Sequence, residues 1–173
     1  MRMTMGLLTA LLLGLLLAPS STAAPVPTDR LTVGVDQTER AAAATRKEKV
    51  VILTNKRRVA HGCRKVRSVR VLNRVAQKHT RLMASWDDDG QLDHQLPGEA
   101  PLATRLDNAG YRWLKYGENI LNNVGTPRGA VVAWMNSPSH KANIVDCAFR
   151  HIGVGYALAE DGTPYWTQVF GKR

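Results

Sequence analysis

The chain has 173 residues with two cysteines, and its 24 Lys and Arg against 14 Asp and Glu give a formal charge of +10. That length accommodates one domain with a hydrophobic core of its own, which excludes the short folds that depend on a metal or a dense disulfide framework. The charge is uneven: Arg40 to Arg74 holds 12 Lys or Arg against one acid, Glu48, while from Val75 onward the signs balance at 10 each.

Residues 1–23 begin with one positive charge at Arg2, continue as an apolar run from Leu7 to Ala18, and end in small residues. This is the pattern of a secretory signal peptide, with cleavage expected near Ala23 or Ala24. The run falls short of the roughly 20 residues of a membrane span. The expectation is therefore a secreted, extracellular protein with no transmembrane segment after cleavage; an uncleaved anchor is the competing reading. Residues 24–38 are polar, proline-bearing and aperiodic, and are expected as a flexible N-terminal segment ahead of a domain over 39–173.

Glu39 to Ala60 lacks Gly and Pro and is rich in Ala, Lys and Arg. This predicts a helix with Val50, Leu53 and Ala60 on one stripe and Gly62 as its stop. The basic residues here read as a solvated helix face, or as an attachment surface for anionic cell-wall polymer or lipid headgroups. Export and the lack of interleaved aromatic residues speak against nucleic acid. In VRVLNRVAQKHTRLMASW, residues Leu72, Val75, Ala76, His79, Leu82 and Met83 recur at helical spacing, the strongest periodic signal in the chain. His79 lies on that apolar stripe, where a satisfied core histidine is the default.

DDDGQLDHQLPGEAP has turn chemistry and predicts a loop carrying His94. Pro101 to Ala109 reads as a short helix with Leu102 and Leu106 inward and Gly110 as its cap. YRWLKYGENILNN is ambiguous between extended chain and loop. Thr126-Pro127 is an N-cap and first-turn pair that opens a helix carrying Val131, Trp134 and Met135. Ser137-Pro138 repeats that pair. Proline within a continuous helix costs about 3 kcal/mol, so a second helix should start there, with His140, Asn143 and Ile144 on it.

Ile152, Val154, Tyr156 and Leu158 alternate with Gly153, Gly155 and Ala157, and Asp161-Gly162 signals a hairpin into PYWTQVF. The small residues imply close packing on one face. Helices first and an antiparallel hairpin last point to an α+β domain or layered sandwich. Cys63 and Cys147 allow one intrachain disulfide, which export favours over two free thiols.

Taken in order, LTNKRRVAHGC, HTRLMASW, LDHQ, RLDNAGY through YGENI, AWMNSPSHKANIVDC, FRHIGVGYA and PYWTQVFG resemble the CAP superfamily, or SCP domain, in its bacterial secreted form. The resemblance covers about Glu48 to Gly171. It implies an α-β-α sandwich with a small antiparallel sheet between helices, and cysteines at these two places. The family's cleft holds two histidines and two acids. Carried over one at a time, these are His94 in LDHQ, Glu118 in GENI and His140 in SPSH. The second acid falls on Ser137, so the set is incomplete.

Two imidazoles and a carboxylate are able to bind a divalent metal such as zinc, or to act as acid, base and orienting group. Glu118 has an alternative role accepting backbone donors in a turn. Ser137 as a nucleophile competes with Ser137 as a helix N-cap whose hydroxyl accepts a backbone N–H, and no G-x-S-x-G accompanies it. The expectation is a monomeric, non-enzymatic extracellular binding or interaction module for a small apolar ligand, lipid or cell-surface polymer, with a weak divalent-metal site. The alternative is a metal-assisted hydrolase using His94, His140 and Glu118.

Overall fold

A four-stranded sheet lies between two helical layers in a computed structural model that describes residues 29–86 and 92–173. The expected signal peptide lies outside the described residues. In chain order the elements are α1 (Asp29–Ala60), β1 (Arg67–Ser68), α2 (Arg70–Ser85), α3 (Leu102–Asn108), β2 (Lys115–Asn122), α4 (Pro127–Asn136), α5 (Pro138–Val145), β3 (His151–Leu158) and β4 (Pro164–Lys172). The sheet order is β1-β3-β4-β2. Strands β2, β4 and β3 form the expected antiparallel sheet, and the two-residue β1 adds a parallel edge, with Arg67 opposite His151. The result is the α-β-α sandwich. Among the described residues no helix is long and apolar enough to cross a membrane.

The period of two along the strands divides the core. Ile152, Val154 and Tyr156 of β3, with Trp166 and Phe170 of β4, meet Val50 of α1, Trp134 of α4 and Ile144 of α5. On the other face, Val169 packs with Leu72, Val75 and Ala76 of α2, and Ile120 and Tyr165 pack with Met83. The small residues of β3 have their explanation here. A Cβ on Gly153 would overlap the backbone of Leu72 and Asn73, and one on Gly155 would overlap Thr80 Oγ1 and the Ala76 backbone. Strand β3 thus accepts α2 at backbone contact.

Helix ends follow the punctuation of the sequence. Gly62 has φ +75°, Cys63 N donates to Arg58 O and Gly62 N to Val59 O, the paired bonds of a Schellman stop. Gly110 closes α3 the same way, through Tyr111 N to Leu106 O and Gly110 N to Asp107 O. Thr126 Oγ1 accepts from Gly129 N at 3.1 Å and opens α4. Ser137 ends α4 and precedes α5, but its hydroxyl caps neither: it lies 3.3 Å from Ser139 Oγ, contrary to the expected N–H acceptance.

Helix α1 departs from expectation in two ways. It starts at Asp29, so most of the stretch expected as a flexible segment is helical. Only Gly34 is a strong helix breaker among residues 29–38, and the cost of one Gly is about 1 kcal/mol, which a long helix absorbs. Its inner stripe is Val50, Thr54 and Arg58, all fully buried, while Leu53 is half-buried and Ala60 exposed. Arg58 is tolerated because its guanidinium donates to backbone carbonyls of Arg64, Ile144, Asp146 and Phe149 at 2.8–3.1 Å. One cation of the basic run is therefore a structural bolt between α1 and the chain after α5. The Cys63–Cys147 disulfide ties the same two regions across 84 residues.

Candidate functional site

Strand β2 is an edge strand, and it carries Gly117, Glu118 and Asn119 at the middle of one side of the molecule. Alternation sends Glu118 toward α2 and Asn119 toward α5. Asn119 Nδ2 donates to His140 O and to Gln168 Oε1, each at 3.1 Å, and Gln168 in turn reaches Thr54 of α1 at 2.8 Å. Asn143 Nδ2 of α5 donates to Glu118 O and Asn119 Oδ1. This chain of amides holds α5 against β2 and so positions His140. Gly117 is required for the same contact, because a Cβ there would lie 2.6 Å from Asn143 Oδ1.

On the other side of β2, Glu118 is almost wholly buried and its carboxylate faces His94, Arg105 and, at 3.8 Å, His79 Nε2. His94 Nδ1 lies 2.9 Å from Oε1, and Arg105 Nη2 lies 3.3 Å from Oε2. Arg105 also approaches Glu99, with Nη1 3.3 Å from Oε1, and donates from Nη2 to His94 O at 2.8 Å. Glu99 Oε2 meets His79 Nδ1 at 2.8 Å, whereas His79 Nε2 lies 3.8 Å from Glu118 Oε1 without a hydrogen bond, so the core histidine is satisfied at one ring nitrogen only. The expected backbone-turn role of Glu118 is not what is found: the residue is in a strand, and side chains hold its carboxylate.

His94 and Glu118 line a shared recess of about 260 Å³ with Gln95, Pro101, Leu102 and Tyr116. His140 and Ser137 are not among its lining residues, although His140 senses the charge of His94. The hydrogen bond to Glu118 raises the pKa of His94 above its ordinary 6.5, against the effect of burial. For His140, burial first and His94 second push the value below 6.5. The pair thus diverges, with His94 favouring the charged ring and His140 the neutral one.

The donor set does not suit a metal. Among the described residues no group of three or more His, Cys, Asp or Glu side chains is arranged to hold one. Glu118 is already neutralised by Arg105 and His94, which lowers its value as a ligand. Among the described residues the Ser137 hydroxyl meets Ser139 Oγ at 3.3 Å and is paired with no base.

Glu99 and Arg105, which sequence reasoning passed over as loop and helix surface, are the centre of this ionic network. They also line a second, larger recess of about 600 Å³ between α2, the loop before α3, and α3. Val75, Leu82, Trp86 and Leu96 make most of that recess apolar, with Arg74 and Lys78 at its margin. The network therefore lies between the two recesses, with His94 and Glu118 lining the smaller and Glu99 and Arg105 the larger.

Fold and site together define an α-β-α sandwich with a His/Glu recess at the edge strand of its sheet. Residues 51–170 match the CAP family, the cysteine-rich secretory proteins, and the chain belongs to it. It is 32% identical over 153 residues to the uncharacterised protein YkwD of Bacillus subtilis strain 168, covering 88% of this chain and 57% of that one. The chain thus spans little more than half the length of that relative. Among solved structures, an extracellular SCP-domain protein from Bacillus anthracis aligns with TM-score 0.68 at 23% identity, over 87% of this chain and 45% of the other. An outer surface protein of Borrelia burgdorferi aligns with TM-score 0.63 at 22% identity, over 73% and 94% respectively. These likenesses establish the fold.

Proposed function

We propose that this chain is a secreted, extracellular binding module that takes a small apolar ligand, without catalysis, in the recess between α2 and α3. The observation that carries the reading is the mostly apolar lining of that recess, whose charged wall of Glu99 and Arg105 is internally paired. The ionisable groups His79, Glu99, Arg105, Glu118 and His94 pair with one another, whereas the roomy cavity is lined mainly by apolar side chains. A volume of about 600 Å³ lies within the roughly 300–1,000 Å³ of small-molecule sites. Support for the extracellular setting comes from the leader-like N-terminus, the disulfide, and a fold shared with a protein described as extracellular.

Titration with a neutral apolar fluorophore, N-phenyl-1-naphthylamine, tests this. Saturable binding at one site per chain is expected, reduced at least tenfold by Leu82→Glu and unchanged in the His94→Ala/His140→Ala double variant. Hydrolysis of an ester or amide that disappears in the double variant would overturn the reading, as would absence of fluorophore binding to the unmodified protein.

A further inference from the structure

The apolar recess adjoins a second feature on the outer face of α2. Arg70, Arg74 and Lys78 succeed one another at i, i+4 spacing, and Arg81 continues the row. Like charges so spaced destabilise a helix rather than support it. With Lys47 of α1 they line an open trough of about 550 Å³, together with Asn73, Gln77, Leu82 and Ser85. Among the described residues no carboxylate lines this trough, and Glu39 lines a neighbouring recess that shares Lys47, Gln77 and Arg81. Lys47 donates to Gln77 Oε1 at 3.1 Å, which brings its ammonium over the trough. Burial, and then the charge of Arg81, lower the pKa of Lys47.

Trough and recess are continuous. Arg74, Lys78 and Leu82 line both, so a ridge of two cations separates a five-cation surface from an apolar cavity. A wholly apolar ligand would leave the trough unused, and a simple anion would leave the cavity unused. A carboxylate with one charge would also match five cations poorly. A phosphate monoester carries close to two charges at neutral pH, and its oxygens suit the forked donors of arginine.

We propose that the outer face of α2 is a binding site for a single-chain amphiphile with a phosphate head, the head in the trough of Lys47, Arg70, Arg74, Lys78 and Arg81 and the chain in the recess lined by Val75, Leu82, Trp86 and Leu96. This deepens the apolar-ligand reading and rests on it. Neither His94 nor His140 lines the trough or the recess, so ligand binding here is independent of those histidines.

Calorimetric titration of the whole protein with 1-acyl-glycerol 3-phosphate below its micelle concentration, with the uncharged monoacylglycerol of the same chain, and with inorganic phosphate tests the assignment. The expected result is at least tenfold tighter binding of the phosphate amphiphile than of the neutral one. That advantage should disappear in Arg70→Glu/Arg81→Glu, whose substitutions are exposed and outside the apolar recess, and should shrink in high salt. Equal binding of the two amphiphiles would overturn the headgroup assignment while leaving the apolar-ligand reading standing. Inorganic phosphate binding as tightly as the amphiphile would show a phosphate site unconnected to the recess, and would overturn the joint site. Failure of both amphiphiles to bind would overturn the headgroup assignment and the apolar-ligand reading together.

Discussion

Arg105 and Glu118 form an ion pair at 3.3 Å, inside the protein, from a helix and an edge strand that the chain joins through residues 109–114. The same guanidinium lies 3.3 Å from Glu99, so one cation serves two buried carboxylates. Pairs of this kind contribute little net stability when intact, because desolvation offsets attraction, but removal of one partner leaves charge uncompensated.

Arg105→Met should therefore destabilise the fold by about 3 to 5 kcal/mol, the usual cost of breaking a buried pair. Urea unfolding followed by circular dichroism measures it. A loss below about 1 kcal/mol would mean that the carboxylates find other partners.

His94 and His140 should titrate on opposite sides of 6.5, His94 above and His140 below, in a nuclear magnetic resonance pH series. Glu118→Gln should bring His94 down toward 6.5, since the bond to Glu118 is the largest cause of its rise. The sign for stability follows. A raised folded value means that the His94 contribution is fully present below 6.5 and fades as pH climbs through the folded value. His140 acts oppositely: its contribution is present above 6.5 and fades as pH falls through its lowered value. A His94 resonance midpoint at or below that of His140 would contradict the observed pairing.

Reduction of Cys63–Cys147 opens a loop spanning 84 residues. In chain-entropy terms this costs about 4 to 5 kcal/mol, by releasing the unfolded chain. The unfolding midpoint should fall when reductant is added, and the reduced protein should match Cys63→Ser/Cys147→Ser. Reduced protein as stable as oxidised protein would place the holding force between α1 and the α5–β3 connection in Arg58 alone.

Gly155→Ala should cost about 1 to 3 kcal/mol or more, because the added methyl meets Thr80 Oγ1 and the Ala76 backbone and α2 has to move. Gly162→Ala makes the comparison. Its site is open but has φ +85°, so its cost should be the roughly 1 to 2 kcal/mol of backbone strain. Equal thermal stability of Gly155→Ala and the unmodified protein would show that the sheet and α2 are not in backbone contact.

What the sequence determined by itself was local, periodic or arithmetically forced. Leu72, Val75, Ala76, His79 and Met83 mark α2 because a helix repeats its inner face every three to four residues, and all five are buried. Gly62, Gly110 and Thr126-Pro127 mark helix ends because they satisfy or tolerate what a helix end demands. The glycines of β3 announced a close neighbour, although not that it would be α2. Two cysteines left one intrachain pairing. Ser137 was placed correctly at a helix junction, but whether its hydroxyl turns to a backbone N–H or to Ser139 depends on rotamer and surroundings, which the junction does not dictate.

The tertiary structure decided everything that required segments far apart in the chain to meet. Arg58 looks like one more cation in a basic run, and only the carbonyls of Ile144, Asp146 and Phe149, some 90 residues on, make it a core residue. Glu99 and Arg105 carry no motif, yet they bind His79 and Glu118 and line the larger recess. A hydrophobic stripe repeats along an element and can be read there. A buried charge pair consists of one residue from each of two elements, so its signal exists only once packing has brought them together.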